Sequence, residues 1–186
     1  MATETNPLNG VENQRISDDS LYEVIDGRIV ELPPMGTDEE ITAGILHVRL
    51  GNHADATKLG RAVMETLFDF TKQVGHKRRP DVAFVSSDRW PRTKPVGKGD
   101  GWPVVPNLAI EVISPSNSWN EVLDKIHEYF HVGVERVWVV TTSKKQVHVY
   151  SSPTDVRILS HDEELTDAKL LPGFKLALHE LFEMVE

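Results

Sequence analysis

Leu108-Ala109-Ile110-Glu111-Val112-Ile113 is apolar at five of its six positions. A strand with one face in water alternates polar and apolar residues, so a run without that alternation predicts a strand near the centre of a sheet. Downstream, Ser116 or Asn117 can cap a helix that continues to His131, and Gly133 stands where a left-handed residue ends it. Arg136 to Thr141 (RVWVVT) follows at once and forms a hairpin with Gln146 to Tyr150 around Ser143-Lys144-Lys145. Two more short strands and a terminal helix from Leu178 to Val185 complete this half. Upstream, Arg61 to Phe70 and Asp81 to Val85 read as strands, and Ser86 to Pro106 is a loop bearing Gly, Pro and Trp, long enough for a functional or mobile segment. Thr37 or Asp38 caps a first long helix running through Ile41, Ile45, Leu46 and Val48 to about His53. Tyr22 to Ile25 and Arg28 to Leu32 flank Asp26-Gly27, a pair suited to a type I′ turn, and predict a β-hairpin. The fold expected is α/β in the α+β sense: a central mixed β-sheet flanked by helices, with an N-terminal hairpin. Residues 1–20 are polar and aperiodic and read as a flexible tail, leaving residues 21–186 as one domain.

The chain has 186 residues, of which 39% are hydrophobic and 26% charged, which excludes a disordered or collagen-like protein. It contains no cysteine, so any metal must sit on oxygen ligands or histidines, and a thiol nucleophile is excluded. No apolar run reaches the roughly 18–20 residues of a spanning helix, and the opening MATETNPLNG lacks the basic and apolar blocks of a signal peptide. A cytoplasmic protein with no membrane partner is expected. The net charge of -9 argues against non-specific coating of nucleic acid. Its distribution is uneven, because eight cations against two acids give the stretch from Lys72 to Lys98 a charge of +6 and leave -15 for the rest. Such asymmetry suits a localised polyanion site on an acidic protein; a solvated basic loop is the plainer alternative.

Asp81 opens a strand directly after Pro80, and Glu111 lies inside the apolar run, where a buried charge is costly unless something pairs with it. Two carboxylates on neighbouring strands are hard oxygen ligands of the kind Mg²⁺ accepts, with water and phosphate oxygens completing its octahedron. The alternative is that Glu111 pairs with Lys or Arg, or ends an exposed strand.

The ordered string Arg79-Pro80-Asp81-Val82-Ala83-Phe84-Val85, Glu111-Val112-Ile113-Ser114-Pro115-Ser116, Lys125, Tyr129, Gly133, Trp138-Val139-Val140 and Leu171-Pro172-Gly173-Phe174 resembles the Uma family of putative restriction endonucleases, over residues 21 to 182. That family belongs to the PD-(D/E)XK nuclease superfamily, so the resemblance implies a restriction endonuclease-like core and Mg²⁺-dependent hydrolysis of phosphodiester bonds in DNA, with Mn²⁺ as a substitute. It further implies Asp81 and Glu111 as metal ligands, joined by the backbone carbonyl of Val112. The superfamily motif places a lysine two residues after the glutamate, where this chain has Ile113; the Uma pattern carries it on the following helix, at Lys125. On helical geometry Lys125 falls beside Val122 and Tyr129, flanking a stripe of Trp119, Leu123, Ile126 and Phe130. From there its stem can lie along apolar surface while the ammonium reaches the strand ends, to orient or activate a water; pairing with Glu121 one turn earlier is the bland alternative. Glu121 stands where the family has aspartate, and Thr42 and Ala43 lie near the place of a family histidine. Either Glu39 or Glu40 could be the helix acid of some superfamily members, or both serve only the helix dipole. Lys77, Arg78, Arg79, Arg92, Lys94 and Lys98 are the expected contacts to the DNA backbone. Cutting both strands at one place leads to the expectation of a homodimer.

His127-Glu128-Tyr129-Phe130-His131 is a literal H-E-x-x-H, the pattern of a zinc peptidase. Both histidines project to the polar side of the helix, Gly133 ends it, and the positions of an extended pattern are Val134 and Val137, so a zinc site is not expected. Trp90 and Trp102 flank the basic loop and serve either base stacking or packing. A rival to the enzyme is a nuclease-fold module with weak or lost catalysis that binds nucleic acid or a protein partner, favoured by the overall acidity and the displaced lysine.

Overall fold

A computed structural model describes residues 20–97, 99–115 and 117–183. In chain order its elements are β1 (Tyr22–Ile25), β2 (Arg28–Glu31), α1 (Thr37–Thr57), β3 (Gly60–Met64), β4 (Phe68–Phe70), α2 (Thr71–Val74), β5 (His76–Arg78), β6 (Val82–Ser86), β7 (Leu108–Ile113), α3 (Trp119–Val132), β8 (Arg136–Thr141), β9 (Gln146–Ser152), β10 (Asp155–Ser160), β11 (Glu164–Leu165), β12 (Leu176–Ala177) and α4 (Leu178–Glu183), with a 3₁₀ turn at Thr142–Lys144. The run 108–113 is β7, and it sits inside a six-stranded sheet of order β10-β9-β8-β7-β6-β3. It pairs antiparallel with β6 and parallel with β8. The parallel pair needs a long crossover between its two strands, and α3 supplies it. The sheet is therefore mixed, as the sequence predicts.

Alternation along the strands then assigns the two faces. Leu108, Ile110 and Val112 of β7 join Val82, Phe84, Trp138 and Val140 in a core closed by α1 and α4. Ala109 joins Ala83, Val85, Val137 and Val139 in a second core closed by α3. Glu111 occupies the α3 face by the same parity. A second, antiparallel sheet of order β2-β1-β5-β4 carries the N-terminal hairpin. Its turn is the one Asp26-Gly27 favours, with φ of 50° and 73° at the two residues. Among the described residues no helix is long and apolar enough to cross a membrane.

Several boundaries differ from expectation. The strand expected from Arg61 to Phe70 is two strands in different sheets, because the chain turns at Glu65 with a left-handed φ of 44°. Neither Thr37 nor Asp38 caps α1; Gly36 is its N-cap, and a side chain there would collide with the Glu39 carboxylate. Ile41 and Val48 are exposed, and the buried stripe of α1 is Glu39, Thr42, Ala43, Leu46, Leu50 and Ala54. On α3 the buried line is Val122, Ile126, Tyr129 and Val132, while Trp119 is exposed, so Lys125 lies nearer the buried face than the expected stripe implies. Ser118 is the N-cap of α3, and Asn117 instead accepts hydrogen bonds from the Ser114 backbone and hydroxyl. Gly133 ends α3 as expected, at φ 102°. The expected tail up to residue 19, the cap at Ser116, the contact at Lys98 and the helix end beyond residue 183 lie outside the described residues.

Candidate active site

Asp81 precedes β6, where the β6–β7 ladder begins at Val82 opposite Ile110. Beyond that pair the N–H of Val112 has no strand to bond, and it donates to Asp81 Oδ2 at 2.6 Å. The carboxylate thus continues the ladder by one bond, which draws Asp81 over the end of β7. Glu111 projects toward α3. There the Tyr129 hydroxyl donates to its Oε1 at 2.6 Å and the Lys125 ammonium to its Oε2 at 3.1 Å. Lys125 and Tyr129 are four apart on α3 and so share a face, which is why both reach the same carboxylate. Lys125 does not pair with Glu121; its second partner is Glu23 of β1, at 3.2 Å.

Burial and the neighbouring Glu111 push the Asp81 carboxyl up to about 8, against the Val112 N–H and Lys125, which act the other way. Burial works to lower the Lys125 ammonium, but the charges of Glu111 and Glu23 outweigh it and the net shift is upward. Burial and Glu111 hold the Tyr129 hydroxyl well above its ordinary value. Lys125 is thus fixed as a cation and Tyr129 as a neutral donor, while the two carboxylates repel each other.

Glu23, Asp81, Glu111, Val112 and Lys125 line a cavity of about 450 Å³, with Tyr129 buried behind Glu111. Leu32, Pro33, Pro34 and Met35, the link from hairpin to α1, form an apolar wall of it. Seven acids line the rest (Glu23, Glu31, Glu39, Glu65, Asp81, Glu111 and Glu121) against two cations, Arg79 and Lys125. Of the two helix acids considered, Glu39 faces the cavity, where it accepts from Thr142 at 2.7 Å, and Glu40 is exposed. Among the described residues no three His, Asp or Glu side chains are gathered closely enough to cage a metal unaided. The donor set nonetheless fits Mg²⁺, which takes one or two carboxylates and keeps water or phosphate oxygens for its remaining positions. An aspartate whose proton affinity is raised by burial and a neighbouring carboxylate is what such a cation relieves.

Of the described cations expected to meet DNA, Arg79 alone lines the cavity, its guanidinium stacked over Tyr22 and donating to the carbonyls of Tyr22 and Glu65. Lys77 pairs with Asp100 at 2.9 Å, Arg78 with Glu23 and Glu128, and Arg92 with Asp55. Lys94 lies over the Trp90 ring. Trp90 packs edge-on to Trp102, which is buried against Phe68, so both tryptophans serve packing. In the H-E-x-x-H stretch His127 and His131 are exposed while Glu128 turns inward to Arg78 and His76. Glu23, Glu65 and the Tyr129 hydroxyl are site groups with no role in the sequence reading. For Glu39 a signal existed, since it extends the line Ala43, Leu46, Leu50, Ala54 by one turn toward the N-terminus.

A mixed sheet with one carboxylate at the start of a strand, a second within its neighbour and a lysine on the crossover helix defines a restriction endonuclease-like domain. The chain belongs to the Uma2 family, described as "Putative restriction endonuclease", which matches residues 11–179. The fold is shared with the crystal structure of a putative nuclease of DUF820 from Anabaena variabilis ATCC 29413, at 19% identity and a TM-score of 0.77 over 89% of this chain and 91% of that one. A cryo-electron-microscopy structure of a DrdV–DNA complex aligns at 14% identity and a TM-score of 0.38, over 75% of this chain and 11% of that one. No curated protein matches the chain in sequence.

Proposed function

We propose that the protein is a Mg²⁺-dependent endonuclease that hydrolyses phosphodiester bonds in DNA, acting in the cytoplasm as a homodimer. The observation that carries this is the convergence of Asp81, Glu111 and Lys125 from three separate elements on one cavity, with both carboxylates crowded together. Asp81 and Glu111 would hold the ion, with the Val112 carbonyl as a further oxygen: a strand residue directs its N–H and C=O to the same edge, and the Val112 N–H is on Asp81. The bound ion would supply Lewis acidity toward a phosphate oxygen and lower the pKa of a coordinated water. Asp81 gives up its proton when a cation takes its place. Lys125, fixed in its charged form, donates; it orients the water and stabilises charge on the phosphate rather than accepting a proton. Arg79 keeps a guanidinium at the cavity wall for the phosphate backbone.

Purified protein should nick supercoiled plasmid in Mg²⁺ or Mn²⁺. Asp81→Ala should abolish nicking, and Lys125→Ala should slow it by about 10²–10³-fold, the usual cost of one transition-state donor. Circular dichroism checks that both variants remain folded. The excess of acids in the cavity favours a second reading, a nuclease-fold module that binds a partner without cutting. It would stand if no divalent ion gives cleavage of duplex or single-stranded DNA and Asp81→Ala changes neither metal nor DNA binding.

A further inference from the structure

Glu23 lies on the hairpin, 3% exposed, and the mechanism above gives it no task. Its Oε1 accepts the Arg79 backbone N–H at 3.0 Å and lies 3.2 Å from Lys125 Nζ; its Oε2 accepts from Arg78 Nη1 at 2.9 Å. Both oxygens are thus engaged, and the carboxylate is held from two sides before it meets the lysine. A lysine ammonium is a point charge on a flexible four-carbon stem, and a single carboxylate leaves it free to swing. Lys125 has two, Glu111 on β7 and Glu23 on β1, from different sheets. Arg78 continues the series to Glu128, and Glu128 to His76 at 2.9 Å, so Glu23 is the link between the lysine and a chain of alternating charges.

We propose that Glu23 is a positioning residue for Lys125: together with Glu111 it fixes the ammonium at the cavity wall, and its loss frees the lysine rather than unfolding the site. This rests on the nuclease reading. Glu23→Gln is isosteric but has one amide oxygen in place of two carboxylate oxygens: that oxygen can still accept from Arg78, while the NH2 group then faces Lys125 and the Arg79 N–H. Its plasmid-cleavage kcat should fall about 10- to 100-fold, the range for partners that orient an active-site group, with KM unchanged. The ¹⁵N resonance of the Lys125 ammonium, followed in lysine-labelled protein without metal, should shift and broaden in Glu23→Gln. Glu128→Gln disturbs the same ion-pair series without touching Lys125, and should keep wild-type kcat and an unchanged ammonium resonance. Should Glu23→Gln fail to fold, Glu23→Asp, which withdraws the charge by about 1.5 Å, takes its place and should give an intermediate loss. Wild-type kcat with an unaltered resonance in the Glu23 variant overturns the proposal, as does an equal loss of kcat in Glu128→Gln, which would mark a structural role. If the wild type itself does not cleave, the nuclease reading falls, and the ammonium resonance alone decides whether Glu23 positions Lys125.

Discussion

Asp81 is a carboxylic acid whose proton affinity is raised by folding, through burial and the nearby Glu111. Between its ordinary value, near 4, and about 8 the native state holds a proton that the unfolded chain has released. Stability therefore falls as pH rises through that window, the reverse of the usual salt-bridged aspartate. Denaturant unfolding at pH 5 and pH 8 should show the decline in wild type and a flatter profile in Asp81→Asn. Mg²⁺ binding should release protons near neutral pH, read by calorimetry in two buffers of different ionisation enthalpy. Glu23 was illegible for a reason at the same scale. Tyr22-Glu23-Val24-Ile25 is an ordinary alternating strand, and alternation puts tyrosine and valine inside with the acid in water. The structure departs from this by burying Glu23, where Arg78 and Lys125 meet it, and leaving Tyr22 and Val24 half-buried.

Among the elements, the hairpin β1–β2 and helix α3 are tied together by side chains rather than by a ladder. His76 of β5 bonds Glu128 of α3 at 2.9 Å through one ring nitrogen and Asp26 of the hairpin turn at 3.1 Å through the other. Burial works to lower the His76 pKa, but the bonds to Glu128 and Asp26 prevail and raise it. Its contribution to stability is complete below the ordinary histidine value, about 6.5, and is lost as pH rises through the raised value. His76→Gln should accordingly be less stable than wild type at pH 6, with the gap narrowing by pH 8, as measured by urea unfolding; the His76 ring protons should titrate above about 6.5. Glu128 is the middle of a zinc-peptidase pattern in sequence, yet here it belongs to this tie. The exposed His127 and His131 beside it bear out the polar-side projection that helical periodicity gives them.

Across the described residues part of the charge asymmetry of the sequence is taken up by ion pairs. Within the basic stretch Lys77 meets Asp100, Arg89 meets Glu135 and Arg92 meets Asp55. With a net charge of -9 and a cavity of seven acids to two cations, the protein offers duplex DNA little attraction by itself. Fluorescence anisotropy should show weak binding in EDTA with a shallow salt dependence, and a marked gain with Ca²⁺ that Asp81→Ala loses. Equal affinity in EDTA and Ca²⁺ would show that DNA is held away from the carboxylates. The strand 108–113, the Asp26-Gly27 turn and the end of α3 at Gly133 follow from residues within a few positions of one another, because periodicity and turn chemistry are local. The set Asp81, Glu111 and Lys125 is not local in this sense, its members standing 30 and 14 positions apart, and it is legible only through resemblance to a family pattern. Which charges meet is not local. Glu23 and Arg78 stand 55 positions apart, and Glu39 and Thr142 stand 103 apart. An ion pair depends on distance in space, and only the packing of two sheets and α3 around one cavity brings those partners within reach.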